Sequence, residues 1–205
     1  MNSATTYMLD HLLEELGELS LGGFTVGLHI RLATPLIYRS TYPAIWTEYY
    51  NSNSYYLRDP LVFWGIGSTG TTRWSQIRLP DPFGVFGKAA AHGLKFGAAS
   101  SYGPITSRSI VGMSASDREY NEEELAALTD LTVRLHLAAK PPSELTTAQI
   151  EALQCIANGD RHTAAAAKLG ISESAFKARL TSARVRLEAR TTSEALRKAR
   201  EFRFL

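Results

Sequence analysis

Pro141 and Pro142 stop any helix arriving from Asn121–Ala139 and stiffen the segment Lys140-Pro141-Pro142-Ser143, so the chain is expected to fold as two bodies. Composition changes at the same place. All three Trp and all nine Tyr precede the prolines, whereas the residues after them are rich in Ala, Leu and Arg, which are good helix formers. Residues 1–140 hold 11 Lys/Arg against 13 Asp/Glu, and residues 141–205 hold 11 against 7. A net charge of −2 is thus followed by +4 in under a third of the length, which points to a nucleic-acid-binding tail. The expected division is a first domain at 1–139, a linker at 140–144 and a second domain at 145–205.

With 205 residues, 44% of them hydrophobic and 20% charged, the chain has enough apolar surface for a real core. The single cysteine, Cys155, excludes an intramolecular disulfide and any Cys-rich zinc module. No apolar run approaches the ~20 residues of a membrane span. Met1 to Asp10 lacks a basic stretch followed by an apolar one, so a cytoplasmic protein is expected.

The first domain reads as mixed α and β. Leu9, Leu12, Leu13, Leu16 and Leu19 fall at helical spacing over Ser3–Leu19. Phe24–Ile30 and Pro35–Arg39 read as strands, and Tyr42–Asn53 as a helix with Pro43 in its first turn. Pro82–Leu94 suggests another helix, Ser100–Ile105 and Ser109–Ala115 two strands, and Asn121–Ala139 a closing helix with acidic residues in its first turn. The expected architecture is α+β: an α/β/α sandwich around a central antiparallel sheet. After the prolines, four helices are expected: Thr147–Asn158, His162–Leu169, Ser172–Leu187 and Ser193–Phe202. The short turn Leu169-Gly170-Ile171-Ser172 between the second and third makes a helix-turn-helix signature. On the third, Phe176, Leu180, Ala183 and Leu187 form a buried stripe. The opposite side presents Ser174, Ala178, Thr181 and Ser182, flanked by Lys177, Arg179 and Arg184, the short polar and basic groups suited to a major groove.

In the first domain, Tyr42, Trp46 and Tyr50 lie at i, i+4 and i+8, on one helix face. Asp59-Pro60 follows beside the apolar run Leu61–Trp64, and then Trp74. Aromatic residues at helical spacing more often serve core packing than a binding site. A carboxylate beside an apolar run is costly to bury without strong hydrogen bonds, which shifts the balance somewhat toward a pocket.

The pattern Tyr42-Pro-Ala-Ile-Trp46-x3-Tyr50 … Asp59-Pro60 … Trp74, with Gly103 beyond it, resembles the autoinducer-binding domain of the LuxR quorum-sensing regulators. Leu145–Leu153, Ala157–Asp160 and Ala164–Glu173 resemble the same family's DNA-binding domain, with Leu153, Gly159, Leu169, Gly170 and Ile171 at framework positions. The second domain departs from the usual pattern at Gln149, where the family has Glu, and at Ala175-Phe176-Lys177 and Ala178. The resemblance covers about Ser3 to Leu205. It implies a bacterial transcription factor, not an enzyme, without cofactor or metal, that binds an N-acyl-homoserine lactone. Trp46 would donate to the lactone carbonyl and Asp59 accept the amide N–H. Tyr42, with Ser114, would hold the amide carbonyl, and Tyr50 and Trp74 would wall the pocket. A hydrogen bond to a charged group contributes roughly 1.5–3 kcal/mol and each buried methylene about 0.8 kcal/mol, so affinity would track chain length. A homodimer would read a palindromic operator in double-stranded DNA through Ser172, Ser174, Lys177, Ala178, Arg179, Thr181 and Arg184, with Arg186 as a further basic candidate and RNA polymerase as a further partner. Ligand binding would shift the population of the dimer-competent state, and either sign of control is allowed.

Other readings compete at particular motifs. A protein that keeps the first domain but only sequesters a related regulator would explain the altered third helix and Gln149. Receptors for other small molecules, or ones working without ligand, share the same pattern. Gly65-Ile66-Gly67-Ser68-Thr69-Gly70 fits GxGxxG, but no helical period follows it, so a loop is expected rather than a dinucleotide site. His11, His29, His92, His136 and His162 lack ligand spacing, and Cys155 lies between Leu153 and Ile156 on a helix, as a buried thiol would.

Overall fold

Leu9, Leu12 and Leu16 are buried along one face of the first helix, α1 (Ser3–Leu19), where their spacing places them. The computed structural model describes residues 3–31, 34–139 and 145–205, and the chain divides into two compact units, 1–139 and 140–205. The linker expected at 140–144 lies outside the described residues.

In the first unit α1 is followed by β1 (Phe24–Ile30), β2 (Ile37–Ser40), α2 (Ala44–Ser52), α3 (Pro60–Gly67), β3 (Gly70–Arg73), α4 (Val85–Ala91), β4 (Phe96–Tyr102), β5 (Arg108–Ala115) and α5 (Glu122–Ala138). The five strands form one sheet in the order β2-β1-β5-β4-β3, every pairing antiparallel. Alternation sends Val26, Leu28, Ala98, Val111 and Met113 to one face, where they pack under Leu12 and Leu16 of α1 and Leu128 and Leu135 of α5. Ala99 and Ile110 point to the other face and meet Leu61 of α3. The result is the expected α/β/α sandwich.

Several elements differ from the sequence reading: the helix expected at Pro82–Leu94 is Val85–Ala91, and the strand expected at Pro35–Arg39 is Ile37–Ser40. The strand expected at Ser100–Ile105 begins earlier, at Phe96, and Ile105–Ser107 is a 3-10 turn. The glycine-rich stretch is not one loop: Gly65 and Gly67 belong to α3, and Gly70 opens β3. Pro60–Gly67 is apolar on all sides, so no helical period shows in it. Gly65 also sits so close to β5 that a Cβ there would lie 2.6 Å from Ile110. Because a strand follows the motif, no helix N-terminus is available for a pyrophosphate.

The sheet is tied to its helices by buried polar groups. A register shift between Gly27 and Ile30 turns His29 (φ +50) into the interior, its ring centroid 4.2 Å from that of His136 on α5. His29 Nδ1 pairs with Ser107 Oγ at 2.8 Å, and His136 Nδ1 with Ser109 Oγ at 2.8 Å. Gly103 (φ +96) lets the chain pass this imidazole, since a Cβ would lie 2.5 Å from His136 Cε1. At the other end of β5, Tyr120 Oη accepts from Leu21 N at 3.0 Å and donates to the Ser114 carbonyl at 2.6 Å. Asn121 and Glu124 form the capping box that starts α5.

The second unit holds α6 (Thr147–Ala157), α7 (His162–Lys168), α8 (Glu173–Arg186) and α9 (Thr192–Glu201). Leu153, Cys155, Ala165, Phe176, Leu180, Ala183 and Leu187 share its core. Ser172 caps α8, its Oγ accepting from Ala175 N. Lys198 of α9 closes the far end by donating to the Leu187 and Glu188 carbonyls, at 3.0 and 2.8 Å.

The clasp at Tyr120 gives a direct prediction. Tyr120→Phe keeps the ring and removes the hydroxyl from both hydrogen bonds, so the first unit should lose about 0.5–1.5 kcal/mol for each. Denaturant unfolding followed by tryptophan fluorescence measures this, because Trp46, Trp64 and Trp74 all lie in that unit.

Candidate functional site

Asp59 is the N-cap of α3 and Pro60 its first helical residue, a combination that fixes the carboxylate at the helix start. Asp59 Oδ1 accepts from Leu61 N at 2.8 Å and Oδ2 from Tyr50 Oη at 2.9 Å. The residue is only 8% exposed. Burial pushes its pKa up to about 6, opposed by the Leu61 and Tyr50 hydrogen bonds and reinforced by the negative charge of Asp81. Asp81 is itself engaged at α4, accepting from the backbone N–H groups of Val85 and Phe86.

Around this carboxylate the structure assembles the aromatic residues that the sequence spacing singled out. Trp46 is buried on α2, its ring 5.6 Å from Tyr50 and 5.4 Å from His92. Trp46 packs in one cluster with Tyr55, Val85, Ala89 and Leu94, against which Tyr42, Tyr50 and Trp74 also lie. Burial raises the pKa of both the Tyr42 and Tyr50 hydroxyls, so both remain hydrogen-bond donors. Tyr50 commits its proton to Asp59. Tyr42 Oη and Trp74 Nε1 are buried without a hydrogen-bond partner. An unsatisfied buried donor costs about 1–3 kcal/mol, and both residues pack against the same apolar cluster.

Ser114 stands differently. It is buried in β5, and its hydroxyl donates to the Gly22 carbonyl at 2.7 Å. Its proton is therefore committed to the turn before β1. No pattern in the sequence signals Gly97: the Trp74 indole lies against this residue, where a Cβ would be 2.2 Å from Cε2. Conversely, the N-cap role of Asp59 is open to inspection, since Asp-Pro before an apolar run is a helix-start signal.

In the second unit Ser172, Ser174, Lys177, Ala178 and Thr181 are exposed, and Arg179 and Arg184 half-buried. Lys177 pairs with Glu173 at 2.6 Å and Arg179 approaches Glu151 at 4.0 Å. Val185, absent from the face expected from the sequence, is 72% exposed and continues the stripe of Ser174, Ala178 and Thr181. Ser182 is turned toward Gln149, whose Nε2 donates to Ser182 Oγ at 2.8 Å while Oε1 closes the capping box with Thr146 N. Gln149 is buried, and a Glu there would have no N–H to offer Ser182. Among the described residues no helix is long and apolar enough to cross a membrane, and no group of three or more His, Cys, Asp or Glu could hold a metal ion.

The family described as autoinducer binding domain matches residues 8–139. The transcriptional activator protein RaiR of Rhizobium etli is 29% identical over 174 residues, covering 76% of this chain and 72% of that protein. Two solved structures share the fold. SdiA in complex with octanoyl-rac-glycerol has a TM-score of 0.57 at 18% identity, covering 98% of this chain and 89% of that one. A crystal structure of Escherichia coli SdiA has a TM-score of 0.57 at 19% identity, covering 100% and 92%. The match over residues 8–139, more than half of the chain, assigns it to the LuxR-type transcriptional regulators with an autoinducer-binding domain, which are not enzymes.

Proposed function

We propose that the first unit binds an N-acyl-homoserine lactone and that this binding controls recognition of a palindromic operator by the second unit, in a homodimer. The observation that carries the reading is the arrangement at Asp59: a buried carboxylate with acceptor capacity to spare, flanked by the unpartnered Tyr42 hydroxyl. An amide fits this pair, since its N–H meets Asp59 and its carbonyl meets Tyr42. Trp46 supplies the donor for the lactone carbonyl, and Tyr50 orients Asp59 while walling the pocket. Ser114 would serve only after giving up Gly22, so the amide carbonyl is assigned to Tyr42. Binding stabilises the folded, dimer-competent state by mass action.

A second ligand reading has specific support. SdiA, which shares the fold, was solved with an octanoyl glycerol. Such a molecule keeps the acyl chain but presents hydroxyls instead of an amide. Thermal unfolding with acyl-homoserine lactones of graded length, and with octanoyl glycerol, separates the two. For the lactone reading, stabilisation rises with chain length to one optimum. Asp59→Asn should weaken binding by about 10- to 100-fold, through removal of a hydrogen bond to a charged acceptor. Stabilisation by the glycerol ester alone would transfer the site to non-lactone acyl ligands.

For DNA, the helix-turn-helix reading is supported by the exposed stripe Ser174, Ala178, Thr181 and Val185 opposite the buried one. Its methyl groups suit thymine and its hydroxyls either base edge, while Lys177, Arg179 and Arg184 flank it. Arg184→Ala should weaken operator binding and make the dependence of log K on log salt shallower, by about 1 in slope for each phosphate that the arginine neutralises. A sequestering module would bind no operator at any salt concentration.

A further inference from the structure

We infer that the Trp74 indole N–H is a specificity-determining donor that selects ligands carrying an acceptor oxygen on the acyl chain itself. The inference rests on the lactone reading above and adds to it a residue so far treated as a wall.

The ring of Trp74 is only part-buried, but its Nε1 is shielded from solvent and has no partner. Its place is fixed on two sides, by Gly97 beneath the indole and by Phe86, with ring centroids 6.0 Å apart. Neighbouring hydroxyls cannot do the same work. Ser101, on the same face of β4, donates to the Gly65 carbonyl at 2.5 Å, and Ser114 donates to Gly22. Trp74 also packs against both apolar clusters on this side of the sheet. One holds Trp46 and Tyr55, beside the polar end of the site. The other, around Leu61, Ala99 and Ile110, is apolar, the surroundings that a hydrocarbon chain would require. Trp74 thus stands at the junction of headgroup and chain.

The headgroup already takes Trp46 for the lactone carbonyl and Tyr42 for the amide carbonyl. A ligand with only these two carbonyls would leave the Trp74 N–H buried and unsatisfied. An oxygen near the start of the chain, as in a 3-oxoacyl group, gives it an acceptor. Because an orphan donor is costly and a formed bond modestly favourable, the two ligand types should differ by about tenfold in Kd.

The test compares N-(3-oxooctanoyl) and N-octanoyl homoserine lactone on the full chain and on Trp74→Phe, which keeps a ring on Gly97 but has no N–H. The wild type should bind the oxo ligand about tenfold more tightly, and the variant should bind the two within about twofold. A second readout needs no variant at Trp74. In ¹⁵N spectra of the wild type, with indole signals assigned through Trp46→Phe and Trp64→Phe, the Trp74 signal should move downfield with the oxo ligand only. Equal wild-type affinities, or a preference that survives Trp74→Phe with an unmoved indole signal, overturn the role of Trp74 while the lactone reading stands. Binding of neither lactone overturns both.

Discussion

The Asp59 carboxylate caps α3 with one oxygen and holds the Tyr50 hydroxyl with the other, at 2.8 and 2.9 Å, while sealed from water. Capping alone does not require a charge in this place, because an asparagine could accept from Leu61 N equally well. Burial raises the carboxyl pKa to about 6, above the ordinary 3.8. A carboxyl that binds its proton more tightly when folded makes the protein less stable when ionised. The cost is fully present above about pH 6 and is relieved as pH falls toward 4. The group is thus held charged near neutrality against the preference of the fold, and under the proposed function a ligand's amide N–H would offset that cost.

The rest of the first unit serves to keep that carboxylate in place. The antiparallel sheet provides a floor of small residues, with Gly97 receiving the Trp74 ring and Ala99 lying under the apolar cluster of Leu61 and Ile110. α1 and α5 close the other face with leucines, which pack the strands independently of the Asp59 side. Asp81 holds the start of α4 and adds negative charge near Asp59. Tyr42 and Trp74 keep their donors dry and unpaired. The buried charge and the unpaired donors reduce the stability of the domain, and under the proposed function a ligand that pairs with them would restore it.

What could be read from the sequence follows how local each feature is. The leucines of α1, the acidic start of α5 and the spacing of Tyr42, Trp46 and Tyr50 are visible because each lies on one helix. β3 escapes a sequence reading because a four-residue edge strand, Gly70-Thr-Thr-Arg73, has no alternation of apolar and polar residues. α3 is hidden by being apolar all round. The seat of Trp74 on Gly97 and the bond from Gln149 to Ser182 join distant elements, and no local pattern announces either. Gln149 reads in sequence as a departure from the family's Glu, and in the fold its Oε1 closes the capping box while its Nε2 reaches Ser182. Ser114 shows the reverse: its place on the late strand is legible, but its commitment to Gly22 is set by a turn 92 residues away.

The measurement that bears most directly on this account is the unfolding free energy of the ligand-free first unit between pH 7.5 and 5, in wild type and Asp59→Asn, followed by tryptophan fluorescence. With a folded pKa of about 6, the wild type should gain on the order of 1 kcal/mol relative to the variant over that range. At pH 7.5 the variant should be at least as stable as the wild type. A wild type that neither gains on the variant as pH falls nor is matched by it at pH 7.5 would contradict the account, because Asp59 would then be a structural cap rather than a charge held in reserve for a ligand.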